Sequence, residues 1–379
     1  MTVLDLFFLI VLLLGCSYTL FSIACVQEFF RDQDLPSPKG SLPSISVLKA
    51  IKGLDSSCSE NLSSFCAQDY PSYEVLFGFK ERDDPAVACA EAIAASASCN
   101  ARVVIDGGGT GVNQKVANLE TLACRSRYQM LALSDSDMYV DHGYLRRIVG
   151  EYQGSDKTGI VTSLYKISCP LSVGSALESL SIALDFIPSV LVARRLEGVT
   201  FGLGASILIS KEALREIGGF GDIAGYLADD YQLGYRLWKK GYTNILSRGV
   251  IENRVGPMSV VNHLSHQLRW ARTYRASRPL GFFGYGITHV FFFSLLFLLV
   301  KPGTAPAIVL LFVLTLRYIL ACLLYRKVIR RKRWLLCLFL LPFKEISAFL
   351  VWLWSFAGSR VRWRGTDYRI SRDGRLTKL

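Results

Sequence analysis

The sequence predicts an α/β domain with a mainly parallel sheet, set between N-terminal and C-terminal transmembrane helices. Three observations predict it. Apolar runs of membrane-spanning length lie toward both ends; between them, short β-rich runs alternate with helix-like stretches; and the 379-residue chain is 51% apolar yet carries a net charge of +12. High apolar content with excess Lys and Arg suits a membrane protein whose cations face anionic headgroups. Nucleic acid is the usual rival partner for a basic chain. Here the basic residues crowd the C-terminal third beside apolar runs without a nucleic-acid motif, so no nucleic-acid partner is expected.

Residues 1–30 read as an N-terminal transmembrane anchor. Leu6 to Val26 is apolar or weakly polar throughout, and at about 1.5 Å per residue it can cross a hydrocarbon core of roughly 30 Å. A secretory signal peptide would want a basic n-region, where residues 1–5 hold only Asp5. With Arg31 and Lys39 after the run and no cation before it, the positive-inside rule puts the following domain in the cytoplasm. A multi-pass protein of a bacterial inner membrane is the expected setting. Residues 31–43, polar and rich in Pro and Ser, read as a linker.

Residues 44–279 form the expected catalytic domain, ending in an interfacial helix. Candidate strands are Ile45–Lys49, Tyr73–Phe79, Ala101–Ile105, Met130–Leu133 and Gly159–Tyr165; helix-like segments lie near Glu60–Gln68, Pro85–Ala97 and Val116–Arg125. Strands alternating with helices imply a mainly parallel sheet covered on both faces. Ligands of such sheets bind beyond the carboxyl ends of the strands, so polar residues just after a strand are the ones to inspect.

Residues 280–325 hold two further spans, near Gly281–Val300 and Ala305–Tyr325, and Arg317 in the second is expected to snorkel to the interface. Residues 326–358 comprise the basic turn Arg326–Arg333 and the apolar stretch Trp334–Ala357, interrupted at Pro342, Lys344 and Glu345. Both flanks are basic, and a single crossing would place two charges near the bilayer centre at about 2.5–3.5 kcal/mol each. A re-entrant or interfacial hairpin turning at Pro342 is therefore expected, followed by a basic cytoplasmic tail at 359–379. The ten cysteines include no C-x-x-C pair and read as small core residues.

Four pieces carry candidate chemistry. Asp135-Ser136-Asp137 follows the apolar strand Met130–Leu133, and residues i and i+2 of an extended backbone point to one side. Two carboxylates can then converge on one hard divalent cation that bridges to a diphosphate, although Asp and Ser are also common turn formers. Asp83-Asp84-Pro85 follows the strand Tyr73–Phe79; Asp84 and Pro85 make an ordinary helix start, or one acid meets a nucleotide. Asp229-Asp230 precedes an amphipathic stretch, where an ionised carboxylate could serve as a general base or merely favour the helix dipole. His266-Gln267-Leu268-Arg269-Trp270 offers a guanidinium for a diphosphate and an indole for a sugar or lipid headgroup, or is simply an interfacial helix.

Together and in this order, these pieces resemble glycosyltransferase family 2, and closest its ceramide glucosyltransferase-like branch, which includes hopanoid biosynthesis-associated glycosyltransferases. Further similar stretches are Lys49–Gly53, Phe65–Tyr73, Gly111–Leu119, Pro188–Arg195, Leu227–Leu233 and Val361–Gly365. The resemblance implies a GT-A (nucleotide-diphospho-sugar transferase) domain, a UDP-sugar donor, a lipid acceptor, Mg²⁺ or Mn²⁺, and inversion at the anomeric carbon. Carried over by position, Asp83 or Asp84 would contact uridine, and Lys115 would join the nucleotide-sugar site. Asp135 and Asp137 would hold the metal and diphosphate, and Asp230 would be the base. Arg269 would serve the diphosphate, and Trp270 and His266 the acceptor. His266 departs from the pattern, which has Gln or Arg there.

The expected activity is a hexosyltransferase that moves glucose or N-acetylglucosamine from a UDP-sugar to a ceramide or hopanoid-type hydroxyl at the cytoplasmic membrane face. A processive polysaccharide synthase would need more helices to enclose a sugar channel. A membrane transporter would want polar residues within several long spans, whereas the acids lie in the middle of the chain. The retained acids argue against a non-catalytic sugar-nucleotide-binding protein.

Overall fold

The computed structural model describes residues 2–31, 38, 40–106, 111–155 and 157–379. Most of the expected linker, residues 32–37 and 39, lies outside the described residues. The chain divides into two compact units: residues 33–166, 197–256 and 374–379 form one, and Met1–Asp32, Ile167–Leu196 and Pro257–Asp373 the other. The stretch 44–279, expected as a single domain, is thus shared between them. Ile167–Leu196 and most of the chain from Pro257 to Ser355 are helical and group with the N-terminal helix.

The first unit is built on an eight-stranded sheet. Its strands are β1 (Ile45–Ala50), β2 (Tyr73–Phe79), β3 (Asn100–Ile105), β4 (Met130–Leu133), β5 (Met138–Tyr139), β6 (Thr158–Lys166), β7 (Ile207–Ser210) and β8 (Thr243–Asn253). Their spatial order is β3-β2-β1-β4-β7-β6-β8-β5. The strands expected from sequence are β1 to β4 and β6; β5, β7 and β8 are not among them. β1 pairs in parallel with both β2 and β4, while β7 runs antiparallel to β4 and β6.

The central strands are apolar runs because helices cover the sheet on both faces. Leu48, Leu76 and Leu131 from the sheet pack with Val116, Leu119 and Leu122 of the helix Gln114–Arg125 and with Leu233 and Leu237 of the helix Asp229–Lys239. The strand order reverses direction between β1 and β4. Such a switch point opens a crevice beyond the carboxyl ends of the two strands, here at Lys49 and Asp135.

The second unit is helical. Among the described residues, four helical stretches are long and apolar enough to cross a membrane: Val3–Phe29, Val173–Glu197, Thr304–Ile329 and Lys332–Ser355. A bent pair, Pro279–Thr288 and Val290–Val300, would make a fifth if it forms one span. Val3–Phe29 begins with a capping box between Thr2 and Asp5. It meets Val290 at Gly15, where any Cβ would lie 2.6 Å from the valine Cβ; only glycine permits that approach.

Three expectations change here. The span expected near Gly281–Val300 is bent by 53°. Val173–Glu197 was not anticipated as an apolar helix of spanning length. The hairpin expected at Pro342 does not form: a 3₁₀ stretch, Lys332–Leu340, runs on into the α-helix Leu341–Ser355. Pro342 sits in that helix's first turn, where its missing N–H costs nothing.

The charges that motivated a turn are neutralised instead. Arg317, expected to snorkel, is 4% exposed and donates from Nε and Nη2 to Glu345 at 2.9 and 2.6 Å. Its Nη2 also reaches Asp185 Oδ1 at 3.0 Å, and Lys344 Nζ lies 2.5 Å from Asp185 Oδ2. Two acids and two bases cancel within one quartet, in which Arg317, Lys344 and Glu345 are buried and Asp185 is half-buried.

The expected tail contributes a hairpin rather than a loose end. β9 (Arg360–Trp363) pairs antiparallel with β10 (Thr366–Ile370), with Arg364 and Gly365 both at positive φ in the two-residue turn, as a type I′ turn requires.

Candidate active site

The site forms where the switch point of the sheet gathers charge. Asn113 organises its floor. Its Oδ1 accepts from the amides of Lys115 and Val116, capping the helix Gln114–Arg125, and its Nδ2 donates to the Tyr226 carbonyl at 2.7 Å. One side chain therefore aims the Lys115 turn and ties down the loop leading to Asp229. Lys115 Nζ lies 2.6 Å from Asp135 Oδ1 and 3.6 Å from Asp229 Oδ2. Burial disfavours the Lys115 charge, but Asp135, Asp229 and Asp230 together outweigh it and hold the ammonium above its ordinary range.

Asp229 and Asp230 open the helix Asp229–Lys239. Asp230 Oδ2 accepts from the Gly204 amide at 2.7 Å, and Oδ1 from the Tyr231 amide at 2.8 Å. Burial, then the neighbouring Asp229 charge, push the Asp230 carboxyl up to about 6; Asp229 is raised as well, chiefly by burial. Gly204 lies among these groups. A Cβ there would sit 3.1 Å from Lys115 Nζ, 3.2 Å from Asp230 Oδ2 and 3.4 Å from Asp135 Oδ2, so the glycine keeps the centre of the site open.

The extended backbone expected for Asp135-Ser136-Asp137 is instead a turn, closed by the Met138 amide on the Asp135 carbonyl at 3.4 Å; Asp135 and Asp137 are part-exposed while Ser136 between them is buried. Asn253 Nδ2 donates to Asp137 Oδ2 at 2.9 Å. Among the described residues, no group of three or more His, Cys, Asp or Glu side chains could hold a metal. Two aspartates nevertheless fit a hard divalent cation that takes its remaining oxygens from a diphosphate and water.

Lys49, buried at the end of β1, donates to the Asp135 carbonyl at 2.5 Å and lies over the Phe65 ring. Burial pushes its ammonium down to about 7, against the opposing pull of Asp137 and Asp135.

Of the first acidic pair, Asp84 accepts from the amides of Gly53 and Ala86 at 2.8 and 2.9 Å, fastening the loop after β1 to the start of the helix Val87–Ser96. Asp83 is exposed. The structure thus brings Lys115, Asp135 and Asp230 together, with Asp137 two residues beyond Asp135 and with Asp83 and Asp84 just after β2.

His266, Arg269 and Trp270 lie in the helical unit, on the helix Val260–Ser277. The Trp270 ring is 4.7 Å from that of His266 and 6.1 Å from that of Phe186. Arg275 donates to the carbonyls of Ser355 and Gly358, and so braces the end of the last helix. Sequence reasoning missed Lys49, Asn113 and Gly204 as site residues. A lysine closing an otherwise apolar central strand was a signal for the first, and Asn113 stands in the family-like stretch Gly111–Leu119 just before the helix it caps; Gly204 shows none.

A switch-point sheet with a D-x-D after β4 and an acid pair opening a later helix defines a GT-A fold. A mannosyltransferase from Pyrobaculum calidifontis in complex with GDP-Man and Mn²⁺ shares it, with a TM-score of 0.57 at 14% identity over 93% of this chain and 99% of its own. The family model described as glycosyl transferase family 21 matches residues 7–376, and the chain belongs to that family.

Among curated relatives, ceramide glucosyltransferase 3 of Caenorhabditis elegans is 27% identical over 265 residues, 70% of this chain and 58% of the relative. Ceramide glucosyltransferase 1 of the same organism is 26% identical over 263 residues, 69% and 56%. The match with these relatives spans just over half of their length.

Proposed function

We propose that the chain is an inverting, membrane-bound hexosyltransferase that moves glucose or N-acetylglucosamine from a UDP-sugar to a lipid hydroxyl at the cytoplasmic membrane face. The observation that carries this reading is the arrangement of Asp230, Lys115 and Asp135 around Gly204 at the carboxyl ends of β1 and β4. Asp230 is the general base. It takes the proton of the acceptor hydroxyl as that oxygen attacks the anomeric carbon, while the bond from that carbon to the UDP oxygen breaks. Its raised carboxyl still ionises below neutral pH, the match of base strength to working pH that proton transfer favours.

Lys115 places a fixed positive charge beside the diphosphate, so developing charge on the leaving group meets a preorganised partner. Asp135 and Asp137 would hold Mg²⁺ or Mn²⁺, which when bound neutralises diphosphate charge. Asp83, exposed, or Asp84, half-buried, would contact uridine. Arg269 would meet the diphosphate, and His266 and Trp270 the acceptor.

The ceramide glucosyltransferase relatives support a sphingolipid-like acceptor; a hopanoid polyol is the other arm of the test. Purified protein given a UDP-hexose should release UDP faster with one of these lipids than without, and mass spectrometry should find one hexose added. UDP release that no hydroxylated lipid stimulates would refute the reading.

A further inference from the structure

Glu178 is a buried acid outside the cluster that would carry the chemistry. It lies on the helix Val173–Ser181 and is 1% exposed. Its Oε2 meets His263 Nδ1 at 2.7 Å and Gln267 Nε2 at 3.0 Å, while Oε1 meets His266 Nδ1 at 2.8 Å. These three partners are spaced i, i+3 and i+4 on the helix Val260–Ser277, so they share one face.

A buried carboxylate must find donors, and when ionised it only accepts. A neutral imidazole facing this carboxylate therefore carries its hydrogen on Nδ1 and presents a bare Nε2 on its far edge. The two histidines then differ. His263 is 2% exposed and enclosed, whereas the His266 side chain is 29% exposed. Among the described residues, no hydrogen-bond partner meets its Nε2. Fastening two helices needs only His263 and Gln267; the second oxygen of Glu178 goes to a residue with an open edge.

We infer that Glu178 is a positioning residue for the acceptor: it locks the His266 ring so that Nε2 accepts a hydrogen bond from a hydroxyl of the lipid, beside the indole of Trp270. This rests on the transferase reading above and deepens it. It also accounts for histidine where the related pattern has Gln or Arg. A guanidinium only donates, but an imidazole has two tautomers, and the hydrogen bond at one nitrogen decides the role of the other. The ligand is an amphiphile that offers a hydroxyl to Nε2 and an apolar surface to the ring.

The test uses the full chain in detergent, with a UDP-hexose and whichever hydroxylated lipid, ceramide or hopanoid polyol, the wild-type protein glycosylates. Glu178→Gln can turn the His266 tautomer; His266→Asn keeps a donor near the Nδ1 position and removes Nε2. Each should raise the lipid KM about tenfold, the loss of one hydrogen bond to substrate, with the UDP-hexose KM within about twofold. The double variant should be no worse than the weaker single, because the two residues act as one unit.

Multiplying effects, or equal rises in both KM values, would overturn the inference. If Glu178→Gln loses its thermal transition, His266→Asn decides alone: an unchanged lipid KM refutes the role. Absence of transfer by the wild-type protein would instead bring down the transferase reading, and this inference with it.

Discussion

Asp230 holds the Gly204 amide with one oxygen and the Tyr231 amide with the other, and burial beside Asp229 lifts its carboxyl to about 6. A group raised in this way is protonated below that pH and ionised above it, and only the ionised form can take a proton. Transfer should therefore fall on the acid side of about pH 6 and level off above it. Asp230→Asn should lower turnover by about 10²–10⁴-fold, the usual range for a general base, and remove the acid limb, while UDP-sugar binding persists. Rate profiles between pH 5 and pH 8 (roughly one unit either side of the limb and beyond) check both. Turnover within tenfold of wild type would exclude Asp230 as the base. Gly204→Ala tests the same geometry sterically. Its methyl would stand 3.1–3.4 Å from three charged groups, so the lysine or a carboxylate must shift. A displacement on the order of 1 Å can cost about 10²-fold in rate, and we expect a loss of that size with an unchanged melting temperature.

At the scale of elements, the site depends on where a strand or helix ends. The D-x-D loop is placed by β4, and the Lys115 turn by the Asn113 cap. Asn113→Ala removes the cap and the bond to Tyr226 together, which should destabilise the protein by about 1–2 kcal/mol and lower the melting temperature. Activity should fall further than stability, because Lys115 and the loop before Asp229 lose their shared anchor. The loop after β4 makes a separate prediction. Stripping divalent cations should abolish transfer and adding Mg²⁺ or Mn²⁺ should restore it; full activity in excess chelator would exclude a metal role for Asp135 and Asp137. Strand β4 and its acids were legible because an apolar run followed at once by two acids needs no distant partner. β7, four residues long, was not, because its place is set by antiparallel pairing with β4 and β6.

Across the whole molecule, the quartet of Asp185, Arg317, Lys344 and Glu345 draws on three stretches of chain far apart in sequence. Removing one member leaves an uncompensated buried charge, which typically costs about 3–5 kcal/mol. Glu345→Gln should therefore melt well below wild type in detergent. Arg317→Met with Glu345→Gln, which removes one charge of each sign, should recover part of the loss. Equal melting of the single and double variants would mean that the charges do not compensate one another.

Sequence by itself determined the sheet's first four strands, the acids that follow them and the apolar runs at either end, because each is a local pattern of period, length or turn chemistry. Tertiary structure decided which charges face each other. Nothing local pairs Arg317 with Glu345, sets Gly204 among Lys115, Asp135 and Asp230, or brings Glu178 to His266. Each of those contacts joins side chains at least 28 residues apart or brings separate segments together around one point. The isolated charges in the apolar stretches looked costly for the same reason: their price depends on a partner that only the folded chain supplies.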